Sequence, residues 1–139
     1  MSGRVFIDTN LLIYLYSDKE QKKREAVCQI LIDYHCVINI QSLKEASNVW
    51  YKKFDWNGIK IKSHLDNIEL VFDEILQINR TTIDNAIDIK EKYGFSFYDC
   101  IMIASALKGN CELFFTEDMK DEQILQHKLK IINPFKNIA

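Results

Sequence analysis

Proline and glycine are scarce in this sequence, which contains one proline, Pro134, and four glycines. A flexible linker between domains needs a stretch rich in glycine, serine or proline, and the sequence offers none. The 139 residues, of which 47% are hydrophobic, are enough to bury one core. We therefore predict a single domain over residues 1–139.

Long hydrophobic runs are absent as well. No apolar stretch approaches the roughly 18 residues that a membrane-spanning helix requires. The residues from Met1 to Arg4 provide no apolar segment of the kind found in signal peptides. These absences predict a cytoplasmic protein that does not associate with membranes.

Cysteine is present, but no two cysteines form a C-x-x-C pair. The four are Cys28, Cys36, Cys100 and Cys111. In a chain without a secretion signal, such cysteines are expected to be small buried hydrophobic residues rather than disulfides. The three histidines show no zinc-ligand spacing either, so we predict no zinc site.

Short apolar runs alternate with longer segments of helical periodicity, which is typical of an α/β domain with a mostly parallel sheet. The predicted strands cover residues 5–7, 37–40, 75–78, 113–115 and 130–132. The predicted helices cover residues 11–16, 19–33, 43–54, 62–72, 82–93 and 97–108. We therefore predict an α/β fold whose central sheet has about five strands.

Acidic residues stand where three of these strands end. Asp8 directly follows the first strand, Glu45 opens the helix after the second, and Asp118 lies three residues after Phe115. Asp99 belongs to the first turn of the last predicted helix. Because ligands of parallel sheets bind beyond the carboxyl ends of the strands, we expect the four acids to gather at that edge.

Each acid on its own has a structural explanation. Glu45 and Asp99 each follow a serine by three residues, and Asp84 follows a threonine by three. This spacing matches a helix capping box, which explains an arbitrary match better than catalysis does. Spacing alone does not separate Asp84 from Asp99.

As a group, however, the acids need a counter-charge. Two carboxylates about 5 Å apart repel each other by about 3 kcal/mol at an effective dielectric constant of 20. Mg²⁺ or Mn²⁺ would compensate this repulsion, because such ions take oxygen ligands and retain water. A metal held in this way can bind phosphate oxygens and activate a water molecule. The group therefore indicates a metal-assisted displacement at a phosphate.

Four segments of the chain are informative in their order and spacing. They are Phe6-Ile7-Asp8-Thr9-Asn10-Leu11-Leu12, Leu43-Lys44-Glu45-Ala46-Ser47-Asn48-Val49, Phe97-Tyr98-Asp99-Cys100-Ile101-Met102-Ile103-Ala104-Ser105-Ala106 and Phe114-Phe115-Thr116-Glu117-Asp118-Met119. Together they span nearly the whole chain and resemble the PIN-domain nucleases. The resemblance is to the VapC-like toxin ribonucleases of type II toxin–antitoxin pairs in particular.

The resemblance implies a three-layer α/β/α fold and endonucleolytic cleavage of RNA with one or two Mg²⁺ or Mn²⁺ ions. It also implies a homodimer and inhibition by a small antitoxin protein. The residues that match the family's catalytic and metal-binding acids are Asp8, Glu45, Asp99 and Asp118, and those that match its supporting polar positions are Asn10 and Thr116. Because Glu117 lies beside Asp118, the choice of the fourth acid stays open.

Two other small α/β families fit the pattern less well. A receiver domain would need an aspartate after the third strand, where the sequence has Asn79 and Arg80. A haloacid-dehalogenase-type phosphatase would need a second aspartate at the position of Asn10. A PIN-like module that binds RNA or protein without cleaving it stays open as the alternative function.

The net charge of −2 lacks the basic excess that is usual in nucleic-acid-binding proteins. Four of the 20 acids belong to the predicted site, however, and the other 16 are outnumbered by 18 Lys and Arg. Basic residues cluster at Lys19, Lys22, Lys23 and Arg24, and again at Lys52, Lys53, Lys60 and Lys62. Most such runs are solvated helix faces.

Four aromatic residues accompany the second basic cluster, namely Trp50, Tyr51, Phe54 and Trp56. The spacing of Trp50 and Phe54 places them on one helical face and predicts that both are buried. Tyr51 and Trp56 are interleaved with charge, which favours a role in contacting an antitoxin.

Overall fold

The structure, a computed structural model, describes residues 3–138. Within that range the chain forms six strands and six helices. The strands are β1 (Arg4–Ile7), β2 (His35–Asn39), β3 (Glu74–Leu76), β4 (Leu113–Phe115), β5 (Ile124–Leu125) and β6 (Leu129–Ile132). The helices are α1 (Thr9–Leu15), α2 (Gln21–Asp33), α3 (Ile40–Lys52), α4 (Gly58–Val71), α5 (Arg80–Tyr93) and α6 (Phe97–Lys108).

The strands form one sheet in the order β3-β2-β1-β4-β6-β5. All neighbouring strands are parallel except β5, which runs antiparallel to β6. The mostly parallel sheet and its five predicted strands are thus confirmed. The prediction missed β5, which is only two residues long and lies between Glu122 and Gln126, both with positive φ.

Helices cover both faces of the sheet. Because successive side chains of a strand point to opposite faces, Val5 and Ile7 pack with the core formed by α1 to α4. Phe6 points the other way, into the core formed with α5 and α6, where its ring meets Phe114 edge-on at 5.4 Å. The predicted three-layer α/β/α arrangement is confirmed.

The strand order creates a crevice at one edge of the sheet. The chain builds outward from β1 to β2 and β3, and then returns to the other side of β1 with β4. Such a reversal leaves a space beyond the carboxyl ends of the two central strands. Asp8 directly follows β1, and its backbone N–H donates to the carbonyl of Phe115 at 3.1 Å. Thr116 directly follows β4, so both residues lie at this crevice.

Four helices, α1, α3, α4 and α5, begin earlier than predicted. In α3 and α5 the earlier start overturns a predicted capping role. Asn39 is the N-cap of α3 and forms a capping box with Ser42, so Glu45 lies beyond the first turn and caps nothing. Asn79 likewise caps α5, and Asp84 instead accepts a hydrogen bond from Arg80 at 2.9 Å. An asparagine side chain can cap a helix as well as serine or threonine, and here it moves each helix start back to the end of a strand or loop.

The structure also tests the predictions that the cysteines are buried and unpaired and that no helix spans a membrane. All four cysteines are free; Cys36, Cys100 and Cys111 are buried as predicted, but Cys28 is exposed on α2, where the prediction of burial is wrong. Among residues 3–138, no helix has the length and apolar character needed to cross a membrane.

Candidate active site

One pocket at the crevice brings together all four predicted acids. It has a volume of about 340 Å³ and is lined by Asp8, Thr9, Asn10, Ile13, Glu45, Asn48, Val49, Asp99 and Asp118. Among the described residues, no lysine, arginine or histidine lines this pocket. The carboxylates come from four separate places in the sequence and meet here because β1 and β4 end side by side while α3 and α6 begin at the same edge.

Asp8 lies half-buried between the two central strands. As the N-cap of α1, its Oδ1 accepts a hydrogen bond from the backbone N–H of Thr9 at 2.7 Å. Its Oδ2 accepts from the hydroxyl of Thr116 at 2.6 Å. The pKa of Asp8 is raised to about 6, mainly by burial; the hydrogen bonds from Thr116 and Thr9 oppose this rise, and the negative charges of Asp118 and Asp99 contribute to it. The fold therefore holds a carboxylate whose charge lacks full compensation.

Asp118, rather than Glu117, faces the pocket. The side-chain amide of Asn10 donates to Oδ2 of Asp118 at 2.9 Å. Glu117 turns away, accepts a hydrogen bond from Tyr14, and forms an ion pair with Lys23 at 3.0 Å. Burial raises the pKa of Asp118, and the neighbouring charges of Glu117 and Asp99 add to that rise. In this geometry Asp118 is the acid next to Asp8 and Asp99.

Glu45 enters the pocket from the second turn of α3. The Thr9 hydroxyl donates to its Oε1 at 2.6 Å, and the side-chain amide of Gln41 donates to its Oε2 at 3.3 Å. Sequence reasoning did not single out Thr9 and Gln41. Thr9 could have been recognised from the sequence, because it lies between Asp8 and Asn10 in the Asp-Thr-Asn segment. Gln41 could not, because its contact with Glu45 depends on where α3 starts.

Asp99 occupies the third position of α6. Its backbone N–H donates to the Ser96 hydroxyl at 3.3 Å, which confirms Ser96 as the helix cap. Among the described residues, no side chain or backbone group donates to the Asp99 carboxylate, although the other three acids each accept at least one hydrogen bond. Asp99 is thus left with its oxygens available to a ligand.

Both predicted supporting residues contact the acids. Asn10 donates to Asp118, as described above, and Thr116 contacts two acids at once. Its hydroxyl donates to Asp8 and accepts a hydrogen bond from the backbone N–H of Asp118 at 3.2 Å. Thr116 is completely buried, so the orientation of this hydroxyl is set by the two acids it connects.

The pocket has donors suited to a hard divalent cation. Within residues 3–138, however, no three Asp, Glu, His or Cys side chains are already arranged to hold a metal. Mg²⁺ does not need such a cage, because it is usually bound through one or two carboxylates and keeps several waters or phosphate oxygens. The carboxylates that line the pocket, above all those of Asp8, Asp99 and Asp118, therefore fit this ion in chemistry and charge.

A family model described as the PIN domain matches residues 5–124 of the chain. No curated protein sequence matches this chain.

Solved structures with the same fold support this match. A toxin-antitoxin complex from Klebsiella pneumoniae has a TM-score of 0.70 at 19% identity, and the alignment covers 94% of this chain and 97% of that one. VapC20 of Mycobacterium tuberculosis, a Sarcin-Ricin loop cleaving toxin, has a TM-score of 0.64 at 13% identity, and the alignment covers 82% of this chain and 91% of VapC20. VapBC2 from Rickettsia felis, bound to a DNA fragment from its promoter, has a TM-score of 0.62 at 15% identity. The alignment covers 94% of this chain and 99% of the matched chain.

Proposed function

The chain belongs to the PIN-domain family, and from this membership we propose that it is a metal-dependent endoribonuclease that acts as the toxin of a toxin–antitoxin pair. The observation that carries the proposal is the pocket in which four carboxylates meet without a basic residue in the lining. A purely structural site would contain a lysine or arginine to balance these charges, as Lys23 balances Glu117 nearby. An unbalanced acidic pocket favours a cation supplied from solution.

In this proposal Asp8, Asp99 and Asp118 hold Mg²⁺ or Mn²⁺, as one or two ions. Such an ion, when bound, would neutralise the phosphate charge and make a water molecule more acidic. Asp8 contributes a fixed oxygen, because Thr116 and the backbone of Thr9 hold its carboxyl group. Asp99 contributes unengaged oxygens on a helix that positions them at the pocket wall.

Glu45 has a different role in this proposal. Its two oxygens are engaged by Thr9 and Gln41, so it is held in place at the side of the pocket contributed by α3. A carboxylate that is fixed but not fully buried can accept a proton from a water molecule or orient it. We propose that Glu45 orients the attacking water or completes the ligand sphere through a bound water.

The proposed protein partner is inferred from the similar solved structures. The similar structures include a toxin-antitoxin complex and a VapBC pair on promoter DNA. We propose that this chain is inhibited by a cognate antitoxin protein, and that it forms a homodimer. A basic side chain from the antitoxin would supply the positive charge that the lining of the acidic pocket does not provide. Tyr51, which is 55% exposed, stays a candidate contact for this partner.

Cleavage of bulk RNA tests the nuclease proposal. The wild-type protein should cleave in Mg²⁺ or Mn²⁺ and not in EDTA, and Asp8→Asn should abolish cleavage while the fold is retained. Asp84→Asn makes the same chemical change on an exposed acid outside the pocket and should cleave like wild type. Undiminished cleavage in EDTA, or by Asp8→Asn, would refute the mechanism. RNA binding without any cleavage would favour the alternative, a PIN-like binding module.

A further inference from the structure

A second pocket, opposite in charge to the first, lies at the far ends of α1 and α3. Its volume is about 570 Å³, and its lining combines cationic and aromatic side chains. The residues that define this basic pocket are Lys19, Arg24, Lys53, Lys60, Trp56 and His64. Within residues 3–138, Asp18 is the one residue with a carboxylate that lines this pocket.

The four cations come from both basic clusters of the sequence. Lys19 and Arg24 lie before and within α2, whereas Lys53 and Lys60 lie after α3 and within α4. All four are exposed. Among the described residues, none of the four forms an ion pair with a carboxylate, in contrast to Lys23, which is paired with Glu117. The pocket therefore concentrates positive charge that the protein does not neutralise.

An aromatic wall holds part of this charge in place. The ring of Trp56 stacks on buried Trp50 at 5.1 Å and contacts the His64 ring at 4.3 Å. The Nζ atom of Lys60 lies 4.4 Å from the centroid of the Trp56 ring. This cation–π contact keeps the Lys60 ammonium at the pocket instead of letting it sample the solvent freely.

Two helices connect the acidic pocket with the basic pocket. Thr9 and Glu45 meet at the acidic end of α1 and α3. Tyr16 and Trp50 meet at the other end, with ring centroids 5.9 Å apart, so the two helices run side by side in the same direction. From Glu45 to Lys53 the chain advances by eight residues, which corresponds to about 12 Å along a helix.

We propose that the basic pocket binds backbone phosphates of the RNA strand whose scissile phosphate lies in the acidic pocket. The inference rests on the proposed function in taking RNA as the ligand. A pocket of four carboxylates repels a polyanion, so the strand needs an anchor elsewhere, and cationic side chains supply most of the affinity for phosphates. A single strand that runs along α1 and α3 reaches both pockets, and the cation–π contact with Trp56 holds Lys60, one of the four cations, at the second pocket.

The chain provides a matched pair of variants for the test. Lys53→Ala/Lys60→Ala removes two cations that line the pocket. Lys52→Ala/Lys62→Ala removes two exposed lysines from the same two regions that do not line it. The probe is a labelled ten-nucleotide single-stranded RNA, and binding is measured in EDTA by fluorescence anisotropy at several salt concentrations. Intactness of the RNA is checked on a gel after each titration.

The Lys53→Ala/Lys60→Ala protein should bind this RNA about tenfold more weakly than wild type, and its salt dependence should be shallower by about 1.4 in the slope of log K against log salt, which is the loss of two phosphate contacts on a single strand. The Lys52→Ala/Lys62→Ala protein should bind like wild type. Equal weakening in both variants would show a general effect of surface charge and overturn the proposal. Unchanged RNA affinity in both would overturn it as well.

Two further results would distinguish RNA binding at the basic pocket from antitoxin binding there and from the nuclease proposal. If the pocket variant lost affinity for a co-expressed antitoxin but not for RNA, the basic pocket would be a protein-binding site and the proposal would be wrong. If wild-type protein bound RNA through the pocket but cleaved no RNA in Mg²⁺ or Mn²⁺, the nuclease proposal alone would fail. Because binding is measured without metal, the two failures are distinguishable.

Discussion

The hydroxyl of Thr116 donates a 2.6 Å hydrogen bond to Oδ2 of Asp8. The two residues are 108 positions apart in the chain and adjacent in space, because each directly follows one of the two central strands of the sheet. The same hydroxyl accepts the backbone N–H of Asp118. One buried side chain thus fixes the orientation of the first acid and the backbone position of the last.

Thr116→Val tests this coupling. Valine keeps the shape of threonine but leaves Oδ2 of Asp8 without its donor and the backbone N–H of Asp118 without its acceptor. We expect a 10- to 100-fold loss of RNA cleavage, as is typical when the hydrogen-bond partner of a metal ligand is removed. Loss of the buried hydrogen bonds should also destabilise the fold by about 1 to 3 kcal/mol.

Thr116→Ser is the matched control for this experiment, because it keeps the hydroxyl and removes only a methyl group. Its cleavage rate should lie near that of wild type, whereas its stability should fall slightly. A Thr116→Val protein with wild-type activity would mean that the orientation of Asp8 does not limit the reaction.

Asp118 and Glu117 can be separated by parallel amide substitutions. Asp118→Asn should lose cleavage because it removes a carboxylate from the acidic pocket. Glu117→Gln should keep cleavage but lower the free energy of unfolding by roughly 1 kcal/mol, since it weakens the contacts with Lys23 and Tyr14. Cleavage assays and urea unfolding of both proteins decide the matter. If Glu117→Gln were inactive and Asp118→Asn active, Glu117 would be the fourth acid.

The choice between these neighbours shows what the sequence could and could not predict. That an acid follows β1 and another follows β4 was visible, because parallel strands end at a common edge. Which of two adjacent acids faces the pocket depends on Lys23, a residue 94 positions away whose side chain attracts Glu117. No local pattern contains that information.

The helix starts were the weaker part of the prediction for a related reason. Asn39 lies at the end of a buried strand and was assigned to it, yet its side chain accepts the backbone N–H of Ser42 at 3.0 Å and starts α3. Once α3 begins there, Glu45 moves into the second turn and becomes available to the pocket. The sequence also did not indicate which lysines line the basic pocket. Lys53 and Lys60 line it, whereas Lys52 and Lys62 do not. This difference depends on the path of the chain after α3 and on which side of α4 each residue lies.

Asp99 and Asp84 were indistinguishable by spacing, and the structure now separates them. Asp99 lines the acidic pocket, whereas Asp84 forms an exposed ion pair with Arg80 on the surface of α5. Asp99→Ala should reduce RNA cleavage by roughly 100-fold or more and weaken Mn²⁺ binding in calorimetry. Asp84→Ala should change neither, and it should leave stability nearly unchanged because exposed ion pairs contribute little. Wild-type Mn²⁺ binding by Asp99→Ala would remove this residue from the proposed ligand set.

The raised pKa of Asp8 makes the stability of the metal-free protein depend on pH in a direction that can be worked out. In the folded state this pKa is about 6, against about 3.9 in an unfolded chain. Between these values the folded state holds the proton more tightly, so the contribution of Asp8 to stability is full below about pH 4 and is lost as the pH rises through 6. At neutral pH the buried charge then costs the fold on the order of 3 kcal/mol.

Asp8→Asn removes that cost, because asparagine stays neutral at every pH. In EDTA, the free energy of unfolding of Asp8→Asn relative to wild type should be near zero at pH 4, rise between pH 4 and 6, and level off above that. Taking the difference between the two proteins cancels the titration of the other carboxylates, and Asp84→Asn provides a control that should show no such rise. At pH 7.5, Mg²⁺ should stabilise wild type and not Asp8→Asn, since only the wild-type pocket carries the full negative charge that the ion would compensate. A difference that stays flat from pH 4 to 7.5 would mean that Asp8 does not carry an uncompensated charge in the folded protein, and the electrostatic case for a cation in the pocket would then rest on the other three acids alone.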